Sequence, residues 1–235
     1  MPDFSRRSRE TEWLDEAELH ADELADVLRD LARFNGAMFG RRTVLNWLRR
    51  ALRDAPQSEP LTLLDVGCGY GDLLRAISHW ARQHDLPLHL VGVDLSKETV
   101  RIAQSATNAR DGIEYHAVDI FDFQPDRPID FVISSLLAHH FGDALIVAFL
   151  RWMEMTARKG WFIYDLQRHP VPYHFIGLMR LVTQLHPMVI HDGRISVSRS
   201  LTRAEWEDRI ADAGIPRHKV TLRWFLYRFA IGRLQ

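Results

Sequence analysis

The stretch Leu61-Thr62-Leu63-Leu64-Asp65-Val66-Gly67-Cys68-Gly69-Tyr70-Gly71 decides the fold of this 235-residue chain. Consecutive apolar residues run into Asp65, and glycines then stand at alternate positions until a helix begins near Asp72. Such a turn lets a ligand touch bare backbone. Three ligand classes use a strand, a glycine loop and a helix, and the loop's side chains separate them. A nucleoside-triphosphate loop requires Gly-x-x-x-x-Gly-Lys-Ser/Thr, so that a lysine and a hydroxyl meet phosphate and magnesium. No Lys or Ser/Thr opens this helix. A dinucleotide loop places its last glycine where the helix packs on the strand, with the pyrophosphate at the helix end. Asp72 stands there instead. A carboxylate would repel a pyrophosphate, but it suits a ligand that lacks phosphate and carries positive charge.

Outward from the loop, short apolar runs alternate with helical segments. The runs are Leu61 to Val66, Leu88 to Val93, Ile113 to Val118, Ile129 to Ser134 and Trp161 to Tyr164. This alternation predicts a parallel sheet with crossover helices. A helix is expected from about Asp143 to Arg158, and another from the capping box Thr202-Arg203-Ala204-Glu205, stopped by Gly214 and Pro216. Val220 to Trp224 and Tyr227 to Ile231 read as two closing antiparallel strands. Upstream, Leu24, Val27, Leu28, Leu31 and Phe34, then Val44, Leu45, Leu48 and Leu52, predict two helices parted at Asn35-Gly36. Residues 1–57 are therefore expected to form an N-terminal helical cap on a domain of residues 58–235. Within an insertion near 168–200, Asp192-Gly193 between alternating residues predicts a hairpin or tight turn.

Composition narrows the partners. The 30 Lys and Arg nearly balance 31 Asp and Glu, so no global field draws a polyanion, and nucleic acid is not the expected partner. The single cysteine, Cys68, has no internal disulfide partner and fits a reducing compartment. No run approaches the roughly 18 uninterrupted apolar residues of a membrane helix. The opening Met1-Pro2-Asp3-Phe4-Ser5-Arg6-Arg7 is followed by acidic residues, unlike a secretory signal. A cytoplasmic protein without a membrane partner is expected; composition does not settle the oligomeric state.

The run Leu64 to Gly71 resembles the first motif of class I S-adenosylmethionine-dependent methyltransferases. Three further stretches extend the resemblance. They are Val91-Gly92-Val93-Asp94-Leu95-Ser96, Ala117-Val118-Asp119-Ile120, and Ile129 to Phe141 with Ser134-Ser135-Leu136-Leu137-Ala138-His139-His140 inside it. Singly, Asp94 could cap a helix and Asp119 could sit in a polar turn. Their joint placement at successive strand ends favours the resemblance. It implies an α/β fold with a doubly wound, mostly parallel seven-stranded sheet, Rossmann-like, beneath the N-terminal cap. It implies S-adenosyl-L-methionine as cofactor and S-adenosyl-L-homocysteine as product. The implied cofactor set is Asp65, Gly67, Cys68, Gly69 and Gly71 in the loop, Asp94 for the ribose diol with Leu95 beside it, Asp119 and Ile120 for adenine, and Ser135. Either Arg41 or Arg42 could meet the methionine carboxylate.

Methyl transfer from a sulfonium needs alignment and exclusion of water, and a base only where the acceptor must lose a proton. Ligands of an open parallel sheet lie over the carboxyl ends of its strands, where His139 and His140 fall. An imidazole, with an ordinary pKa of about 6.5, takes up a proton near neutrality. Either histidine alone could instead cap a helix or satisfy buried backbone; at least one of the pair is expected to touch cofactor or substrate. The polar and aromatic segment Asp165 to Phe175 offers Arg168, Tyr173 and His174 to an acceptor, and the insertion offers His191. No metal is expected.

Acceptor signatures argue by absence. Amino-methylating nucleic-acid enzymes share an Asn/Asp-Pro-Pro-aromatic sequence where this chain has Ser134-Ser135-Leu136-Leu137, Cys68 lies in the cofactor loop, and no paired-glutamate loop of protein arginine enzymes occurs. What remains is similar to the bacterial small-molecule branch, of the quinone-biosynthesis and polyketide-tailoring type. The expected reaction is methylation of a hydroxyl on an aromatic, phenolic or polyketide-like small molecule. Alternatives are a protein or RNA methyltransferase, or a catalytically silent S-adenosylmethionine-binding regulatory protein.

Overall fold

The computed structural model describes residues 2–16, 18–38, 40–53 and 59–234. Every apolar run forms a strand: β1 Leu61–Val66, β2 Leu88–Asp94, β3 Ile113–Ala117, β4 Phe131–Ser135 and β5 Gly160–Leu166. The two closing runs form β6 Thr221–Phe225 and β7 Arg228–Leu234. The sheet order is β3-β2-β1-β4-β5-β7-β6. β1 to β5 are parallel, while β7 runs antiparallel to both β5 and β6. The doubly wound, mostly parallel seven-stranded architecture is thus as expected. The order reverses between β1 and β4, and a crevice opens at such a switch point over the carboxyl ends.

Alternation along each strand sends side chains to two cores. On one face, Leu64, Val132, Trp161 and Ile163 pack with helices α6 (Asp143–Thr156) and α9 (Arg203–Asp212) through Phe149, Leu150, Trp206 and Ile210. On the other, Leu63, Phe131, Ile133 and Phe162 pack with α3 (Gly40–Ala51) and α4 (Asp72–Gln83) through Trp47, Leu48, Leu74 and Ile77. The N-terminal helices therefore act differently. α3 is a layer of the sheet domain, its Trp47 stacked on Phe162 at 5.1 Å between ring centroids. By contrast, α2 (Ala21–Ala37) packs through Val27 on Met188 and Val189 of α8 (Pro187–Arg199).

Two expected turns are replaced by helix. Asn35-Gly36 lies inside the last turn of α2, and the helix ends at Met38. Gly36 serves close approach instead, since a Cβ there would stand 3.1 Å from the Arg41 guanidinium. Asp192-Gly193 lies in the middle of α8, where no hairpin forms. Pro187 opens that helix in the first turn, where its missing N–H costs nothing, and the His186 side chain caps it. The Asp192 carboxylate is buried and accepts the backbone N–H groups of Trp13 and Leu14 at 2.9 and 3.0 Å. It thereby caps α1 (Trp13–Glu16) from another element. Gly193 faces Ile176 of α7 (Pro170–Met179), to which a Cβ would come within 3.3 Å.

Residues 2–16 consequently lie as a strap across α8 and the end of β4. His191 stacks on Trp13 at 3.5 Å between centroids, Ser8 donates its N–H to the carbonyl of Ser198, and Arg7 bonds the carbonyls of Arg199 and Phe141. Asp192→Ala is expected to cost about 1–3 kcal/mol, because two part-buried N–H donors lose a charged acceptor. Limited proteolysis should then cut within the first sixteen residues faster than in wild type, and a thermal melt gives the loss.

Candidate functional site

The glycine loop leaves β1 and folds over the end of β2, with the N–H groups of Gly67 and Cys68 both bonded to the carbonyl of Val93. Gly71 has φ +72, and a Cβ on it would stand 2.3 Å from the Tyr115 hydroxyl. Gly69, φ +51, faces open space, with nothing within 4 Å of a would-be Cβ. Its N–H donates to Oδ2 of Asp94 at 3.0 Å, and Oδ1 of Asp94 accepts the Ser96 N–H at 3.0 Å. Each oxygen keeps a further lone pair for a ligand donor. Asp94 is half-buried, and burial pushes its carboxyl above the ordinary 3.8 despite those bonds.

Asp65 is 2% exposed, and its Oδ1 has no hydrogen-bond partner. Burial, then the neighbouring Asp72 and Asp94, push this carboxyl well up. A buried carboxyl left this way at the mouth of a crevice calls for a donor or a cation from outside. Arg41 does not supply it, because its guanidinium pairs with Asp72 at 2.9 Å. The possible use of Arg41 on a cofactor carboxylate, against which the sequence favours an ordinary solvated arginine, gives way to an ion pair at the start of α4. Cys68 is buried and its thiol pushed up by burial and by Asp65 and Asp94, so it is a small loop residue rather than a nucleophile.

Beyond β3, Asp119 is exposed and its carboxylate accepts the N–H of Phe121 at 3.0 Å, while Ile120 is buried. Leu95 is 74% exposed at the crevice side of β2, and Ser135 is half-buried at the end of β4. There Leu136 adopts φ +58, a left-handed conformation costly for an L side chain, held by its N–H to the carbonyl of Tyr164 at 2.8 Å. The kink throws Leu137 over the loop, where a Cβ on Gly67 would meet it at 2.9 Å. A short 3-10 turn, Ala138–His140, follows.

That turn carries the second half of the site. His139 is 3% exposed, and its Nδ1 lies 2.7 Å from Oδ1 of Asp165 at the end of β5. Oδ2 of Asp165 accepts the backbone N–H of His139 at 3.1 Å. Burial works to raise the Asp165 carboxyl, yet His139 and these N–H groups hold it below the ordinary value. An ionised carboxylate only accepts, so Nδ1 of His139 is the donor in this bond. His140, half-buried, has Nδ1 3.3 Å from Asp15 and Nε2 3.7 Å from Glu12; burial opposes its charge, but these carboxylates outweigh it and raise its pKa.

Sequence reasoning missed Glu12 and Asp15, which the strap brings to the histidines, and treated Asp165 only as part of a polar segment. Four other expected contacts sit elsewhere. Arg168 is 4% exposed and spends its guanidinium on the carbonyls of Ser200 and Phe4 and on Glu205, so it fastens the strap instead of facing an acceptor. His191 is covered by Trp13 and bonded to Asp192. Tyr173 accepts a bond from Arg194 at 2.7 Å and meets Phe4 edge-on, and His174 lies exposed beside it.

The chain matches a family described as methyltransferase domain over residues 63–160, from the first strand through the glycine loop to the start of β5. Residues 63–160 thus resemble a methyltransferase domain. Cyclopropane mycolic acid synthase 1 of Mycobacterium tuberculosis is 26% identical over 145 residues, covering 61% of this chain and 44% of that protein. Ajmaline N-methyltransferase of Rauvolfia serpentina is 32% identical over 111 residues, 46% of this chain and 36% of that protein. The chain therefore spans less than half the length of these curated relatives. Among solved structures, the plantazolicin methyltransferase BpumL, in complex with a monoazolic desmethylPZN analog and SAH, superposes with a TM-score of 0.66 at 17% identity. That likeness covers 95% of this chain and 92% of the other, so the shared fold extends beyond residues 63–160.

Proposed function

We propose that the protein transfers a methyl group from S-adenosyl-L-methionine to a small-molecule acceptor, releasing S-adenosyl-L-homocysteine. The observation that carries this reading is the buried Asp65 carboxyl, its Oδ1 without a hydrogen-bond partner, beneath a glycine loop that leaves open space around Gly69. When bound, the cofactor supplies a methyl group already activated on a sulfonium. Asp65 and the backbone of Gly67 and Gly69 face its amino-acid end, Asp94 takes the ribose diol, and Asp119 and Ile120 take the adenine amine and ring. Phosphate-bearing nucleotides are disfavoured by Asp65, Asp72 and Asp94 together.

The acceptor lies over the carboxyl ends of β4 and β5. We assign it an oxygen nucleophile of an aromatic, phenolic or polyketide-like compound, whose proton passes to an imidazole of the His139, His140 pair. Asp165 orients His139 for this task, and the strap residues exclude water. The matched proteins are named for mycolic acid, ajmaline and plantazolicin, so the acceptor varies across this fold. Incubation with methyl-labelled cofactor and fractionated cell extract tests the reading. Label in a small organic product supports it; label confined to protein or RNA would redirect it, and no transfer at all alongside intact cofactor binding would indicate a silent binding protein.

The Asp94 carboxyl gives a pH signature. Ribose binding requires the carboxylate form as acceptor of both hydroxyls. Because burial raises this pKa above 3.8, affinity should be full above the raised value and fall as pH drops through it. A fluorescence titration from neutral pH downward should show the fall in wild type. In Asp94→Asn the affinity should be weaker throughout and the fall absent.

A further inference from the structure

We propose that Glu12, His139 and His140 hold one divalent transition-metal ion, of the zinc or ferrous class, at the acceptor pole. Oε1 of Glu12 stands 3.7 Å from Nε2 of His139 and 3.7 Å from Nε2 of His140. One ligand atom from each of the three residues lies within 4.8 Å of the other two. Neither 3.7 Å separation is a hydrogen bond. A buried carboxylate and two imidazole edges therefore converge on a common point without bonding one another. Ligands about 2.1 Å from one ion at tetrahedral angles stand about 3.4 Å apart, so the two Glu12 separations of 3.7 Å close with a shift of about 0.3 Å, and the two imidazoles, within 4.8 Å, with one of at most about 1.4 Å.

Each ligand is also held from behind. Asp165 accepts Nδ1–H of His139 at 2.7 Å, which fixes the tautomer with Nε2 turned to Glu12. The Ser196 hydroxyl donates to Oε1 of Glu12 at 2.7 Å, and Asp15 stands 3.3 Å from Nδ1 of His140. Backbone positions are fixed by Arg7 on the carbonyl of His139 and Arg199 on that of His140. Carboxylate and hydroxyl partners of this kind orient the ligands of bound metals. Two imidazoles and one carboxylate form the donor set of catalytic zinc and non-haem iron sites, and three protein ligands leave a position open for an oxygen of the acceptor. The ion would join the strap to the turn after β4; with both Nε2 atoms then occupied, it would take over from the imidazoles the task of acidifying a coordinated acceptor hydroxyl, whose proton would leave to solvent water.

This inference rests on the acceptor lying at that pole, and its test is kept separate from the cofactor reading. Chelator-stripped full-length protein is titrated with Co2+ and Zn2+, reading metal per chain by elemental analysis and the visible Co2+ band, with S-adenosylmethionine binding measured in parallel. One ion per chain is expected. Glu12→Ala and His140→Ala should each weaken binding at least about 100-fold, and Asp165→Asn about 10- to 100-fold, while all three keep cofactor binding. Wild type that gives no Co2+ band at millimolar metal, or Glu12→Ala that binds as wild type does, overturns the site. Should an alanine variant misfold, Glu12→Gln, which keeps the shape and removes the charge, takes its place: weakened Co2+ binding supports the site and wild-type binding overturns it. Cofactor binding without metal binding fails this inference alone, whereas loss of both fails the functional reading.

Discussion

The double variant His139→Ala, His140→Ala is expected to keep S-adenosylmethionine binding and to lose about 10²- to 10⁴-fold in methyl transfer. The cofactor contacts we propose fall on the loop and on the ends of β1 to β3, whereas the two rings sit beyond the Leu136 kink, at the pole closed by Glu12 and Asp15. The loss should therefore appear in the rate at saturating cofactor and not in cofactor affinity. Removing His139 also strips the buried Asp165 carboxylate of its ring partner, at a cost of about 3–5 kcal/mol in stability. His139→Asn with His140→Ala keeps a donor near Asp165 and separates that cost from the chemical one. Turnover retained in a folded, cofactor-binding variant would remove both rings from the reaction.

The second large effect lies in the loop, where two glycines should fail differently. Gly71→Ala places a Cβ 2.3 Å from the Tyr115 hydroxyl at φ +72. Left-handed strain of about 1–2 kcal/mol and overpacking of about 1–3 kcal/mol together predict a loss of about 2–5 kcal/mol, and cofactor binding falls with the fold. Tyr115 cannot yield easily, because it is buried and its hydroxyl is engaged with Thr107 at 3.1 Å. At Gly69 a Cβ meets no protein atom within 4 Å, so the cost of Gly69→Val to stability is expected to be mainly the left-handed strain of about 1–2 kcal/mol. Its side chain fills the space assigned to the cofactor, and binding should be abolished in a protein that still melts cooperatively. Thermal melts and cofactor titrations on the pair distinguish a structural glycine from a ligand-facing one.

How much of this was legible in the chain follows from the range of the forces involved. Strands covered on both faces read as unbroken apolar runs, so β1 to β5 could be placed from Leu61, Leu88, Ile113, Ile129 and Trp161 onward, and the loop announced itself through glycines that positive φ requires. Asp94 could be placed at the end of β2 because strand-end positions are set locally. The insertion was misread for a tertiary reason. Alternating residues around Asp192-Gly193 satisfied the hairpin pattern, but the carboxylate is fixed by N–H groups of α1, and the glycine by the approach of α7. Arg168 and His191, polar and near the predicted acceptor, are consumed by the strap for the same reason. Glu12 and Asp15 belonged to an acidic N-terminal run with nothing to single them out; only folding sets them against His139 and His140.

The central claim is that the loop from Asp65 to Gly71, with Asp94, binds an adenosyl sulfonium. Calorimetric titration of the purified protein with S-adenosylmethionine and with S-adenosylhomocysteine tests it most directly, beside Asp94→Ala as control. One site per chain for both ligands in wild type, weakened at least about tenfold in the variant, is the predicted result. Absence of binding of either ligand to the folded wild-type protein would contradict it.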